Sequence, residues 1–264
     1  MVYDKINPLK KYTATIKLCA TQLFDGNFLV VFTGYAVRMV RLFVMISIFR
    51  SLPSGAELSL PQMLTYTLLS SVLSEQLYIF TPATTALWEG SIIGRFTRPV
   101  PVLGTLAAET VGKWIPSLLF FSLPLCLLSP LLGIRLLPAS PSDGLLFAVS
   151  LLLSIFLGFA VDLIFAGISM RMKNGCWAAL AVREALTALL SGSLIPFSLL
   201  PKAVGSVLEL LPFGSLAGAP LTIYVGCGEP LRLILLAVFW NIVLWPFCIW
   251  FFHKSQEKMI SFGG

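Results

Sequence analysis

Residues 88–101 read WEGSIIGRFTRPVP, a basic stretch punctuated by Gly90, Gly94, Pro99 and Pro101 that separates two long apolar segments. What flanks it decides the fold. An apolar run of roughly 20 residues is enough to cross a bilayer as a helix. The pattern predicts six such spans, at 28–49, 58–80, 103–132, 145–170, 176–200 and 231–252. None alternates apolar and polar residues as a barrel strand would. With 57% hydrophobic residues, 11% charged residues and a mean hydropathy of +0.91, the chain has more apolar surface than a water-soluble core of 264 residues needs. The expected fold class is an all-α polytopic membrane protein. It forms one domain over 1–264, with an N-terminal amphipathic helix and short re-entrant helices before the last span.

The net charge of +6 is read as topology. Lys and Arg collect on the cytoplasmic side of membrane proteins. With the first residues inside, twelve basic residues fall on cytoplasmic flanks, Arg183 among them, and four (Arg50, Arg135, Lys202, Arg232) on outer flanks. Both termini are therefore expected in the cytosol. No basic stripe with interleaved aromatics exists, so nucleic acid is not an expected partner. The first residues lack the apolar run and cleavage site of a signal peptide. The five cysteines are scattered without metal-ligand spacing and read as small core residues.

Residues 8–26 place Tyr12, Ile16, Cys19, Ala20 and Leu23 at helical spacing, which predicts an amphipathic helix in the interface rather than a disordered tail. The first span carries Arg38 and Arg41 on one face. Intramembrane charges usually face a bundle interior or water. Glu75 and Asp162 are the acids at reachable depth, so Arg38 is expected to turn towards one of them; alternatively both arginines face a water-filled seam. Glu109 and Lys113 form a favourable i,i+4 pair. Pro116, Pro124 and Pro130 predict a bent third span. Residues 201–228 are apolar but cut by Pro212, Pro220 and several glycines, which suits two short re-entrant or interfacial helices.

Most catalytic chemistry is excluded. His253 is the only histidine and sits at a membrane edge; Ser191 and Ser193 have no base nearby and better mark a bend or tight packing. A Walker loop needs G-x-x-x-x-G-K-[ST], and Gly112-Lys113-Trp114 lacks both the first glycine and the hydroxyl. The chain is not expected to be an enzyme. Asp162 could serve a proton relay or, more simply, partner an arginine. An ion-coupled secondary transporter using Asp162 or Glu75 is the alternative function, although no convincing internal repeat supports it.

In residues 88–101, Trp88, Ile92, Ile93 and Phe96 make an apolar side, and Glu89, Arg95 and Arg98 supply charge. A solvated loop does not need that side; a docking helix does. WEGSIIGRFTRPVP resembles the cytoplasmic loop of bacterial type-2 ABC exporter permeases. Residues 191–226, SGSLIPFSLLPKAVGSVLELLPFGSLAGAPLTIYVG, resemble the stretch after the fifth span of the same family. The resemblance covers nearly the whole chain. It implies a six-span permease that pairs with a second permease, identical or similar, in the bacterial plasma (inner) membrane. Separate ABC ATPase subunits would hold ATP and Mg, with no cofactor on this chain. The coupling helix of that family would fall, within the 82–101 cytoplasmic loop, on Trp88, Glu89, Gly90, Gly94, Arg95, Arg98 and Pro99. Residues 201–228 would cap the pathway outside. The importer signature is not met, since Glu184-Ala185-Leu186 is followed by leucine at position 190.

Overall fold

The computed structural model of the chain describes residues 8–22, 28–51, 58–96, 100–172 and 175–261. Thirteen α-helices run through these residues. They are α1 (Pro8–Gln22), α2 (Phe28–Ser51), α3 (Leu60–Val72), α4 (Ser74–Leu77), α5 (Ala83–Trp88), α6 (Ile92–Phe96), α7 (Val102–Ser117), α8 (Leu123–Leu128), α9 (Pro141–Arg171), α10 (Cys176–Leu190), α11 (Lys202–Leu210), α12 (Gly218–Tyr224) and α13 (Pro230–Ser261). No strand occurs among the described residues.

Among the described residues, four helical stretches are long and apolar enough to cross a membrane: Phe32–Ser51, Val102–Leu132, Pro141–Arg171 and Pro230–Met259. The second and fifth expected spans are shorter than predicted. The second is broken at Leu73 into α3 and α4, and the fifth stops at Leu190 rather than reaching residue 200. At 1.5 Å per residue, the 15 residues of α10 reach about 22 Å. The physical reason lies in the punctuation. Gly192 adopts a positive φ just after α10, and the chain turns through Ser191–Ser193 before Pro196.

The proline-rich third segment stays helical but irregular. A π-helical turn, Leu118–Ser122, separates α7 from α8, and a 3-10 turn, Ser129–Leu132, ends the run. Pro124 cannot donate to the carbonyl four residues back and its ring crowds that turn, which accounts for the widened helix before it.

Ser59 and Pro61 start α3. The Ser59 amide donates to Gln62 Oε1 at 3.0 Å, and proline in the first turn loses no hydrogen bond. From Met63 to Ser70 every residue of α3 is buried, which makes it the central post of the bundle. Its hydroxyls satisfy irregular backbone nearby: Tyr66 Oη donates to Gly192 O and Ser70 Oγ to Ser193 O, both at 2.7 Å. Non-helical backbone away from water is tolerated only where protein supplies such partners.

α9 and α13 run side by side in the same direction. Asn241 Nδ2 donates to Leu153 O at 3.1 Å near one end, and Arg171 Nε to Ser255 Oγ at 2.8 Å near the other. The expected piece at 201–228 does hold two short helices, α11 and α12. α12 is buried, whereas most of α11 is exposed.

The amphipathic helix α1 has its apolar side on protein. Tyr12 sits over Gly104, and Ile16 and Cys19 over Gly112, so α1 runs along the first half of α7 in the same direction. A Cβ at Gly112 would come within 2.7 Å of both Ile16 O and Cys19 Cβ, so only glycine permits this approach. Leu23, expected on the same face, lies outside the described residues.

Candidate coupling surface and polar cavity

Residues 81–96 form a short two-helix element between the second and third apolar segments. α5 ends at Trp88, Gly90 turns the chain with φ +71°, and α6 follows. The anticipated apolar side divides in two. Ile92 is 2% exposed, and Phe96 packs with Leu87 against a core that includes Met170 of α9 and Phe252 of α13. Trp88 and Ile93 point outward, 63% and 46% exposed. Trp88 meets Trp177, at the start of α10, edge to face at 5.7 Å. The outer surface of this element is therefore Trp88, Glu89, Gly90, Ser91, Ile93 and Gly94. A side chain at Gly94 would meet nothing within 4 Å. Arg98 and Pro99 lie outside the described residues.

Arg95 turns back to the chain. Its guanidinium forks onto Glu109 of α7, with Nη2 at 2.9 Å from Oε2 and Nε at 3.4 Å from Oε1, while Nη1 reaches Ser91 Oγ at 3.2 Å. Glu109 takes its ion pair from Arg95, not from Lys113 one turn on. Bidentate arginine–carboxylate pairs are among the stronger charged contacts, and this one is largely shielded from solvent. Above it, burial beside α7 and the Glu109 charge push the Cys19 thiol pKa up.

The other end of the element is held just as firmly. Thr81, the residue before Pro82 and α5, gives both its amide (3.0 Å) and its hydroxyl to Asp162 Oδ2 of α9. Arg183 of α10 lies 3.1 Å from Asp162 Oδ1, donates to Ile79 O, and stacks over the rings of Tyr78 and Phe80. Arg183 is 3% exposed and Asp162 likewise. Arg183 is thus an interior charge, not the flank charge the topology count made it. Apolar patterning does not point to this pair. Counting along the two helices finds it, because Asp162 lies nine residues before the end of α9 at Arg171 and Arg183 seven after the start of α10 at Cys176.

Of the two acids weighed for Arg38, Glu75 is the partner. Arg38 pairs with Glu75, donates to Ser117 Oγ at 3.4 Å, and lies over the rings of Tyr35 and Phe121. Arg41, one turn on, has no ion-pair partner among the described residues. Both arginines line a cavity of about 540 Å³ between α2, the α3–α4 break and α10, which Glu75 and Glu184 also line.

No curated protein matches the chain significantly. The profile of the ABC-2 family transporter proteins matches residues 35–263, which takes in every element described above except α1 and the first residues of α2. The chain belongs to that family and is an integral membrane permease of the ABC transporter type.

Proposed function

We propose that the chain is the membrane subunit of an ATP-driven exporter and that residues 81–96 receive the stroke of a separate ATPase. ABC-2 permeases generally work with ABC ATPase partners, and the sequence offers no Walker loop of its own. One observation carries the reading. A surface-exposed element with outward Trp88 and Ile93 is anchored from behind by two buried charge contacts, Thr81–Asp162–Arg183 and Arg95–Glu109. A solvated loop needs no such anchorage, whereas a lever does. ATP binding on the partner closes the ATPases and displaces the element. The contacts carry that displacement to α9, α10 and α7, and the cavity beside α2 and α10 changes shape.

In this reading the six-span topology stands. α3–α4 with residues 78–80, and α10 with residues 191–200, complete the second and fifth spans through non-helical backbone covered by protein. α1, residues 81–96 and the end of α13 lie in the cytosol or at its interface, in a bacterial inner membrane. α11 and α12 cap the outer side. A second permease, identical or similar, supplies the other half of the pathway. ATP and Mg reside on the ATPase. The ion-coupled alternative fits less well, because both acids it would use, Asp162 and Glu75, are engaged by arginines.

The test is co-purification of the full chain with a Walker-motif ATPase, followed by ATP-driven transport in liposomes. Trp88→Asp and Ile93→Asp should release the ATPase while the permease stays folded. Transport by the chain in liposomes without any ATPase would overturn the proposal.

A further inference from the structure

Four charged side chains line the cavity between α2, the α3–α4 break and α10, and only two of them satisfy each other. Arg38 and Glu75 are paired and cancel. Arg41 and Glu184 also face the space and form no ion pair among the described residues. Two hydroxyls on the same wall, Ser74 Oγ and Thr187 Oγ1, are buried without a hydrogen-bond partner. Buried polar groups are nearly always partnered, so a bound species is expected to answer them. The rest of the lining combines apolar side chains, among them Leu42, Met45, Phe80 and Leu194, with the hydroxyl residues Thr67, Ser70, Ser71, Ser191 and Ser193. The volume of about 540 Å³ is that of a pocket for a drug-sized molecule.

The charges choose the class. Arg41 and Glu184 are exposed in the chain by itself, and in a membrane a charge that faces lipid rather than water is costly unless something pairs it. An anion would answer Arg41 and leave Glu184 unmatched; a cation would do the reverse. We infer that this cavity binds a zwitterionic amphiphile, a molecule with one cationic and one anionic group on an apolar body, an inference that rests on the permease reading above. The Arg38–Glu75 pair removes the anion preference that two arginines alone would create. Single-chain phosphocholine lipids and short apolar peptides with free ends share this chemistry.

The experiment is equilibrium binding to the full chain in nanodiscs, with each probe below its micellar concentration. One arm compares dodecylphosphocholine with methyl dodecyl phosphate and dodecyltrimethylammonium, which carry one charge each. The other compares trileucine with its N-acetylated form and with its C-amidated form, which carry one charge each. The doubly charged probe should bind about tenfold more tightly than its singly charged counterparts, the size expected of one desolvated charged contact. Preference in the first arm alone assigns the site to lipids, and in the second alone to peptides; either supports the inference.

Arg41→Gln should erase the advantage over the cation, and Glu184→Gln the advantage over the anion. Neither residue holds an ion pair among the described residues, so both variants should remain monodisperse. Equal binding of all charge classes, or variants that leave the ratios unchanged, overturns the inference. So does a pattern in which Arg41→Glu and Glu184→Arg each break a dimer that the double swap restores, because the two charges would then pair between copies. Binding needs no ATPase. Selective binding without ATP-driven transport would therefore sink the permease reading alone, and transport without selectivity would sink only this inference.

Discussion

Arg183 Nη1 lies 3.1 Å from Asp162 Oδ1, with both side chains 4% exposed, and the same carboxylate holds the amide of Thr81. α9, α10 and the start of the 81–96 element thus meet at one charge pair. Removing one member of a buried pair strands the other and typically costs about 3–5 kcal/mol, whereas replacing both with apolar groups is often neutral. Asp162→Leu or Arg183→Met alone should sharply lower the thermal midpoint of the purified chain. The double variant should recover much of it, yet transport poorly, because Thr81 has lost its anchor. Thermal unfolding beside ATP-driven transport separates the two effects.

Arg95 and Glu109 make the second anchor, so Arg95 is a positioning residue behind the docking surface. Arg95→Glu and Glu109→Arg should each let the partner turn over ATP while transport falls. A drop of about tenfold needs only about 1.4 kcal/mol of lost coupling. The charge swap, Arg95→Glu with Glu109→Arg, should restore transport. Lost ATPase co-purification in Arg95→Glu would instead make Arg95 part of the docking surface.

Hydropathy exposed the membrane class and the position of the 81–96 element, because long apolar runs and their interruption are local properties. The division of that element's apolar side is not legible in sequence: Ile92 and Ile93 are adjacent and chemically identical, and only the tertiary fold leaves the first 2% and the second 46% exposed. Arg38 had two acids at reachable depth, and depth alone does not choose between them. The choice follows from Tyr35 and Phe121, which stack at 5.3 Å and cradle the guanidinium beside Glu75. Residues 194–200, LIPFSLL, are mostly apolar, so the sequence predicts a longer helix than α10. The bend at Ser191–Ser193 is held by hydroxyls of α3, more than a hundred residues away in sequence.

Those hydroxyls offer a stability prediction. Tyr66→Phe leaves Gly192 O without its donor in a buried position, and an orphaned buried acceptor costs about 1–3 kcal/mol. Ser70→Ala does the same to Ser193 O. Each should lower the thermal midpoint of the purified chain. Together they should show an interaction term, since both groups hold one bend and neighbouring substitutions rarely add. Strict additivity in a double-mutant cycle would mean the bend is held by something else.

The docking of α1 is testable through Cys19. Its thiol is half-buried against α7, and burial, reinforced by the Glu109 charge, raises its pKa. Only the thiolate reacts readily with maleimide, so a raised pKa means less thiolate at any given neutral pH and slower labelling. In a chain whose other cysteines are replaced, Cys19 should label more slowly near pH 7.5 than a cysteine placed at Leu18, which is 59% exposed on the same helix. Its rate should keep rising to higher pH than that of the exposed thiol. Gly112→Leu puts a side chain where Ile16 O and Cys19 Cβ already stand at 2.7 Å from the added Cβ, and forces α1 away. Cys19 should then label faster, with its pH–rate curve moving down towards that of an ordinary thiol. A curve unchanged by Gly112→Leu would show that α1 does not rest on α7.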